Sequence, residues 1–170
     1  MGGMIAQELA VRHPQRCAGL IIGCSMCGGP TAVHLSQETL DLMTRLAHDG
    51  VTPESVRGAL RLNFSPNISP ELTEEYVRLR VAYRPPIETW NRQRQAISRY
   101  DVSQTISAYQ GPVLLMHGGK DEVVPSANLE ILHGLLPQAQ VKIWPQAGHL
   151  FWIEHAGEVN QLVSQFVCSA

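Results

Sequence analysis

Residues 112–125, PVLLMHGGKDEVVP, pass from an apolar run into a glycine-rich acidic turn. Pro112 to Met116 has the composition of a strand covered on both faces, and Gly118-Gly119-Lys120-Asp121-Glu122-Val123-Val124-Pro125 follows it directly. A carboxylate just beyond the carboxyl end of a buried strand stands where open α/β sheets gather their functional groups. Taken alone, Asp121 reads equally well as a residue that shapes a tight turn.

The same grammar extends in both directions. Upstream, Ala18-Gly19-Leu20-Ile21-Ile22-Gly23 is a second apolar run bounded by glycine, preceded by a helix in which Met4, Ile5 and Leu9 recur at helical spacing until His13-Pro14 stops it. Downstream, Ser126 to Leu136 reads as a helix, Val141 to Trp144 as a strand, and Gly157 to Val167 as a helix with Val159, Leu162, Val163 and Phe166 on one face. Strands alternating with helices predict an α/β fold of about three parallel strands with flanking helices. Residues 34–100 carry no strand pattern. Thr52-Pro53 and Ser69-Pro70 each put a capping side chain before a proline at the first helical position, and Leu72, Tyr76, Leu79 and Tyr83 mark a stripe along the helix that follows. The expected organisation is a core of residues 1–33 and 101–170 with a helical lid, 34–100, inserted between two strands.

Composition narrows the function. The chain has 170 residues, 44% apolar and 16% charged, with a net charge of −2 and two lysines, Lys120 and Lys142. No broad basic surface exists to neutralise phosphates, so nucleic acid is not an expected partner. The arginines between Arg78 and Arg99 read as a solvated helix face, because Glu71, Glu74, Glu75 and Glu88 are interleaved with or adjoin them. No apolar run reaches the roughly 20 residues that a membrane-spanning helix needs. Cys24 and Cys27 have C-x-x-C spacing, yet no second ligand pair accompanies them, so these thiols are read as small buried side chains, with neither a metal nor another cofactor expected. A cytoplasmic location is the default, with an N-terminal signal left open.

Two residues compete for a chemical role. His149, in Ala147-Gly148-His149, comes 28 residues after Asp121, between the third strand and the last helix. Acid then histidine, on adjacent parallel strands, is the order used by hydrolases of this architecture. Ser25, in Gly23-Cys24-Ser25-Met26-Cys27-Gly28-Gly29, begins like a nucleophile elbow, but Gly28-Gly29-Pro30 interrupts the helix that an elbow requires. Cys24 to Pro30 is therefore read as a turn leading out of the core.

Four stretches together carry a resemblance: Met1-Gly2-Gly3-Met4-Ile5-Ala6-Gln7-Glu8-Leu9-Ala10, the strand Gly19 to Gly23, the acid loop Gly118 to Pro125, and Ala147-Gly148-His149 with Glu154 after it. They resemble the C-terminal part of an α/β-hydrolase-fold enzyme of the esterase and lactonase branch. The resemblance implies a serine hydrolase acting on a small carboxylic ester or lactone. His149 would be the general base, and Asp121 would orient it. The family's elbow commonly continues Ser-Met-Gly-Gly, so Met1 and Gly2 match its last two residues. The nucleophile is then expected immediately before Met1, and the backbone of Met1 at the oxyanion position. An acyl pocket is expected from the insertion residues Met43, Phe64, Tyr76, Tyr83 and Trp90. The alternative is a non-catalytic module that pairs with a chain supplying the missing half; the bare strand Leu20-Ile21-Ile22 would also favour self-association through its open edge.

Overall fold

The computed structural model describes residues 1–169. Three parallel strands, β1 (Leu20–Gly23), β2 (Val113–Gly118) and β3 (Gln140–Trp144), form one sheet in the order β1-β2-β3. Leu20 is in register with Val113, and Leu115 with Val141. β2 is buried along its whole length because it is paired on both edges and covered on both faces, the environment its unbroken apolar run requires.

Alternation along β2 divides the core. Val113 and Leu115 face a cluster with Ala10 of α1 (Gly2–Arg12) and Leu129 and Leu132 of α6 (Ala127–Leu135). Leu114 and Met116 face Trp144, Phe151, Val159 and Phe166, the last two from α8 (Ala156–Ser169). The stripe expected on α8 is thus the one that packs, and each such side chain contributes roughly 1.5–3 kcal/mol on burial. On α1 the buried residues are Met4, Gln7 and Ala10, while Ile5 and Leu9 stay 61% and 44% exposed. Only part of the expected apolar face is used, since Gln7 turns inward to bond the chain after β1.

Residues 34–100 form α2 (Gln37–His48), α3 (Pro53–Gly58), α4 (Pro70–Ala82) and α5 (Ile87–Ser98), with no strand. Both expected caps are present, as Thr52 accepts from the Ser55 amide and Ser69 from the Leu72 amide. The expected stripe on α4 is corrected. Leu72, Leu79 and Tyr83 are exposed and Val77 is the buried residue, because the face of α4 turned to the rest of the molecule runs through Thr73, Tyr76 and Val77. A short helix not foreseen in the sequence, α7 (Phe151–Glu154), follows the His149 loop.

Candidate active site

All three strands run parallel, so their carboxyl ends lie on one edge of the sheet, and the chain leaves that edge at Cys24, Gly119 and Pro145. The loop after β2 closes on itself through Asp121. Its Oδ1 accepts the amides of Val123 at 2.8 Å and Val124 at 2.9 Å. Its Oδ2 accepts from His149 Nδ1 at 2.7 Å and lies 3.4 Å from His117 Nε2. A carboxylate partner can only accept, so the His149 proton sits on Nδ1 and leaves Nε2 as the base of the neutral ring.

His117 is the residue that the sequence reading missed. Inside the apolar run of β2 its ring is 1% exposed, and Nε2 makes a 2.9 Å bond to the Val124 carbonyl. A carbonyl cannot donate, which fixes the proton on Nε2 and turns that edge of the ring toward Asp121. A histidine in an otherwise aliphatic strand, four residues before the acid, was the available signal. Burial alone would push the Asp121 carboxyl up, but the bonds from His117 and His149, the charge of His149 and the Val124 amide outweigh it and hold the carboxyl well below the usual range.

Cys24 Sγ, His117 Nε2 and Asp121 Oδ2 lie within 4.8 Å of one another, all buried. Burial and the Asp121 charge push the Cys24 thiol far up, so it stays protonated. With His117 Nε2 carrying its proton toward the Val124 carbonyl, the three side chains form a buried polar cluster around the acid.

Ser25 is buried and is not among the residues that line the cavity beside His149. It is 2% exposed, its Oγ accepts from Gln7 Nε2 at 3.2 Å, and no helix follows it. Gly3 of α1 lies directly over it, for a Cβ at Gly3 would come within 2.6 Å of Ser25 Cβ. Met1 caps the start of α1, with its carbonyl accepting the Met4 and Ile5 amides.

A cavity of about 520 Å³ opens between the helical segment and His149. Of the five apolar residues anticipated for it, Met43, Tyr76 and Trp90 line it. Phe64 and Tyr83 do not. Phe64 is 3% exposed and packs edge-on against Tyr76 from behind, whereas Tyr83 projects outward, 76% exposed. Arg80 and Arg84, two of the arginines expected on a solvated helix face, stand at the cavity wall, and neither is paired with a carboxylate among the described residues.

The three-stranded parallel sheet with flanking helices agrees with the family comparison, in which a family model described as alpha/beta hydrolase fold covers residues 1–156. The chain belongs to the alpha/beta hydrolase fold family. Among curated proteins, it is similar to 2-hydroxymuconate semialdehyde hydrolase of Pseudomonas putida, 29% identical over 99% of the chain and 60% of the relative. It is also similar to pimeloyl-[acyl-carrier protein] methyl ester esterase of Neisseria meningitidis, 23% identical over 98% of the chain and 54% of the relative. The solved meta-cleavage product hydrolase of Pseudomonas fluorescens shares the fold with a TM-score of 0.77 at 21% identity, covering 98% of the chain and 61% of that structure. This alpha/beta hydrolase chain thus spans about 60% of the length of 2-hydroxymuconate semialdehyde hydrolase and of other curated relatives it matches.

Proposed function

We propose that this chain carries the base, the acid and the substrate cap of a serine hydrolase acting on a carboxylic ester or lactone. The observation that carries the reading is the 2.7 Å bond from His149 Nδ1 to Asp121 Oδ2 beside a cavity walled by the helical segment. His149 Nε2 takes the proton of the attacking hydroxyl as the C–O bond forms, and later returns it to the leaving oxygen. Asp121 stays ionised throughout, which favours the imidazolium that forms between those steps. Helices α2, α4 and α5 act as the lid that excludes water from the acyl chain.

The nucleophilic hydroxyl is not that of Ser25, which is held by Gln7 beneath Gly3. The Met1-Gly2-Gly3-Met4 wording supports a Gly-x-Ser segment joined ahead of Met1, with the Met1 peptide N–H then donating to the developing oxyanion. The unpaired edge of β1 is where the strand leading to that serine would lie, whether on the same polypeptide or on a partner.

Arg80 and Arg84 beside Met43, Leu46, Ile87 and Trp90 favour an acyl group that is apolar along its length and carries an anion at its far end. One curated relative, 28% identical, is named as a hydrolase of a dioate, 2-hydroxy-6-oxononadienedioate, which is in keeping with that reading.

The test joins the chain to an N-terminal segment ending in Gly-x-Ser and measures hydrolysis of p-nitrophenyl esters. Turnover should vanish on His149→Ala and persist on Ser25→Ala. Turnover that survives the first substitution and is lost with the second would overturn the proposal.

A further inference from the structure

The loop that carries His149 is held from both sides by one stretch of the helical segment. Leu150 donates its amide to the Asn63 carbonyl at 2.8 Å, tying the residue after the histidine to residues 63–65. Gly148, the residue before it, lies so close to the same backbone that a Cβ there would come within 2.7 Å of the Asn63 oxygen and of the Phe64 nitrogen. Glu154, the last residue of α7, closes the junction. Its Oε1 accepts the Gly148 amide at 2.8 Å, and its Oε2 accepts the Ser65 amide at 3.0 Å. One partly buried carboxylate therefore joins two backbone segments that are far apart in sequence, and both of its oxygens are used.

We propose that Glu154 is a positioning residue for His149, clasping the His149 loop to residues 63–65 so that the imidazole is aimed at Asp121 and the cavity wall is fixed to the same support. Leu62 and Asn63 line the cavity, as do His149 and Leu150, so the clasp fixes the histidine loop to the part of the wall that adjoins it. The inference rests on the reading of His149 as the base. It requires a carboxylate specifically, because two N–H groups converge on the side chain. A glutamine offers one acceptor oxygen and turns an NH₂ donor toward the second amide, which repels it. An aspartate keeps both acceptors but is one methylene short.

Amide exchange and proton resonance on the chain complemented with a segment ending in Gly-x-Ser test this without recourse to turnover, so that failure here is distinct from failure of the base reading, which His149→Ala activity decides. In the unsubstituted chain the Ser65 and Gly148 amides should show protection within about a factor of three of each other, since one carboxylate holds both. Glu154→Gln should raise exchange at both amides at least about tenfold, and should shift or broaden the low-field Nδ1 proton resonance of His149. Leu162→Ala, which loosens α8 against the core away from the clasp, should lower stability and leave that resonance in place. Unequal protection of Ser65 and Gly148 in the unsubstituted chain, or an unmoved His149 resonance in Glu154→Gln, overturns the proposal. If Glu154→Gln does not fold, the comparison in the unsubstituted chain still decides.

Discussion

Gln7 and Ser25 form a buried bond between α1 and the chain leaving β1, with Nε2 donating to Oγ at 3.2 Å. The same Nε2 also reaches the carbonyls of Gly3 at 3.0 Å and Met26 at 3.2 Å, so the serine is one of three acceptors around a group with two protons. Ser25→Ala should therefore cost less than about 1 kcal/mol in denaturant unfolding. Gly3→Ala should cost about 1–3 kcal/mol, because the added methyl meets the Ser25 side chain. A reversed order of the two costs would show that the serine hydroxyl, not the close approach of α1, organises this corner.

His117 supplies the acid loop with its inner anchor. His117→Ala removes the one N–H that bonds the Val124 carbonyl and lies 3.4 Å from Asp121 Oδ2, and leaves a void beside them. Urea unfolding should register a loss of about 2–4 kcal/mol. His117→Gln, which can still present an N–H from a similar depth, should recover part of it.

Acid should act on the same loop. Asp121 is held below its unfolded value, so its contribution to stability is complete above about pH 4 and is lost as pH falls further, toward the depressed folded value. The fall in unfolding free energy below pH 4 should be shallower in Asp121→Asn, which is already less stable at pH 7. Parallel pH curves for the two proteins would mean that the carboxylate is not the group being titrated.

Arg80 and Arg84 set the selectivity expected of the cavity. In the chain complemented with a Gly-x-Ser segment, Arg80→Gln together with Arg84→Gln should lower kcat/KM about tenfold or more for an ester whose acyl group ends in a carboxylate. The uncharged ester of equal length should change less than about threefold. Equal losses on both esters would place the arginines in structure and not in recognition.

Among the described residues β1 has no neighbour on its outer edge, and Ile5 and Leu9 lie exposed on α1. The chain on its own should self-associate through that edge, seen as concentration-dependent elution in size-exclusion chromatography. Ile21→Lys combined with Ile5→Glu should weaken the association. A monodisperse monomer with strongly protected amides at Leu20 to Ile22 would refute it.

Elements governed by local rules are legible in the chain before it folds. Apolar runs ending in glycine gave β1 and β2, the Thr52-Pro53 and Ser69-Pro70 caps started α3 and α4, and the spacing of Asp121 and His149 pointed to the pair that the fold joins at 2.7 Å. The sequence also argued against Ser25, because glycine and proline stop a helix whatever surrounds them. Tertiary structure decided what depends on which surface meets which. Periodicity marks an apolar stripe but not its partner, so Ile5, Leu9, Leu72 and Tyr83 fit the helical pattern and remain exposed, while Phe64 is spent on packing behind Tyr76. His117 and Glu154 are visible in the sequence only as a polar residue in a strand and an acid near a helix end. Their roles arise from bonds that close across the fold, from Glu154 to Ser65 and from His117 to the turn around Asp121, and such bonds exist only once the chain has brought their ends together.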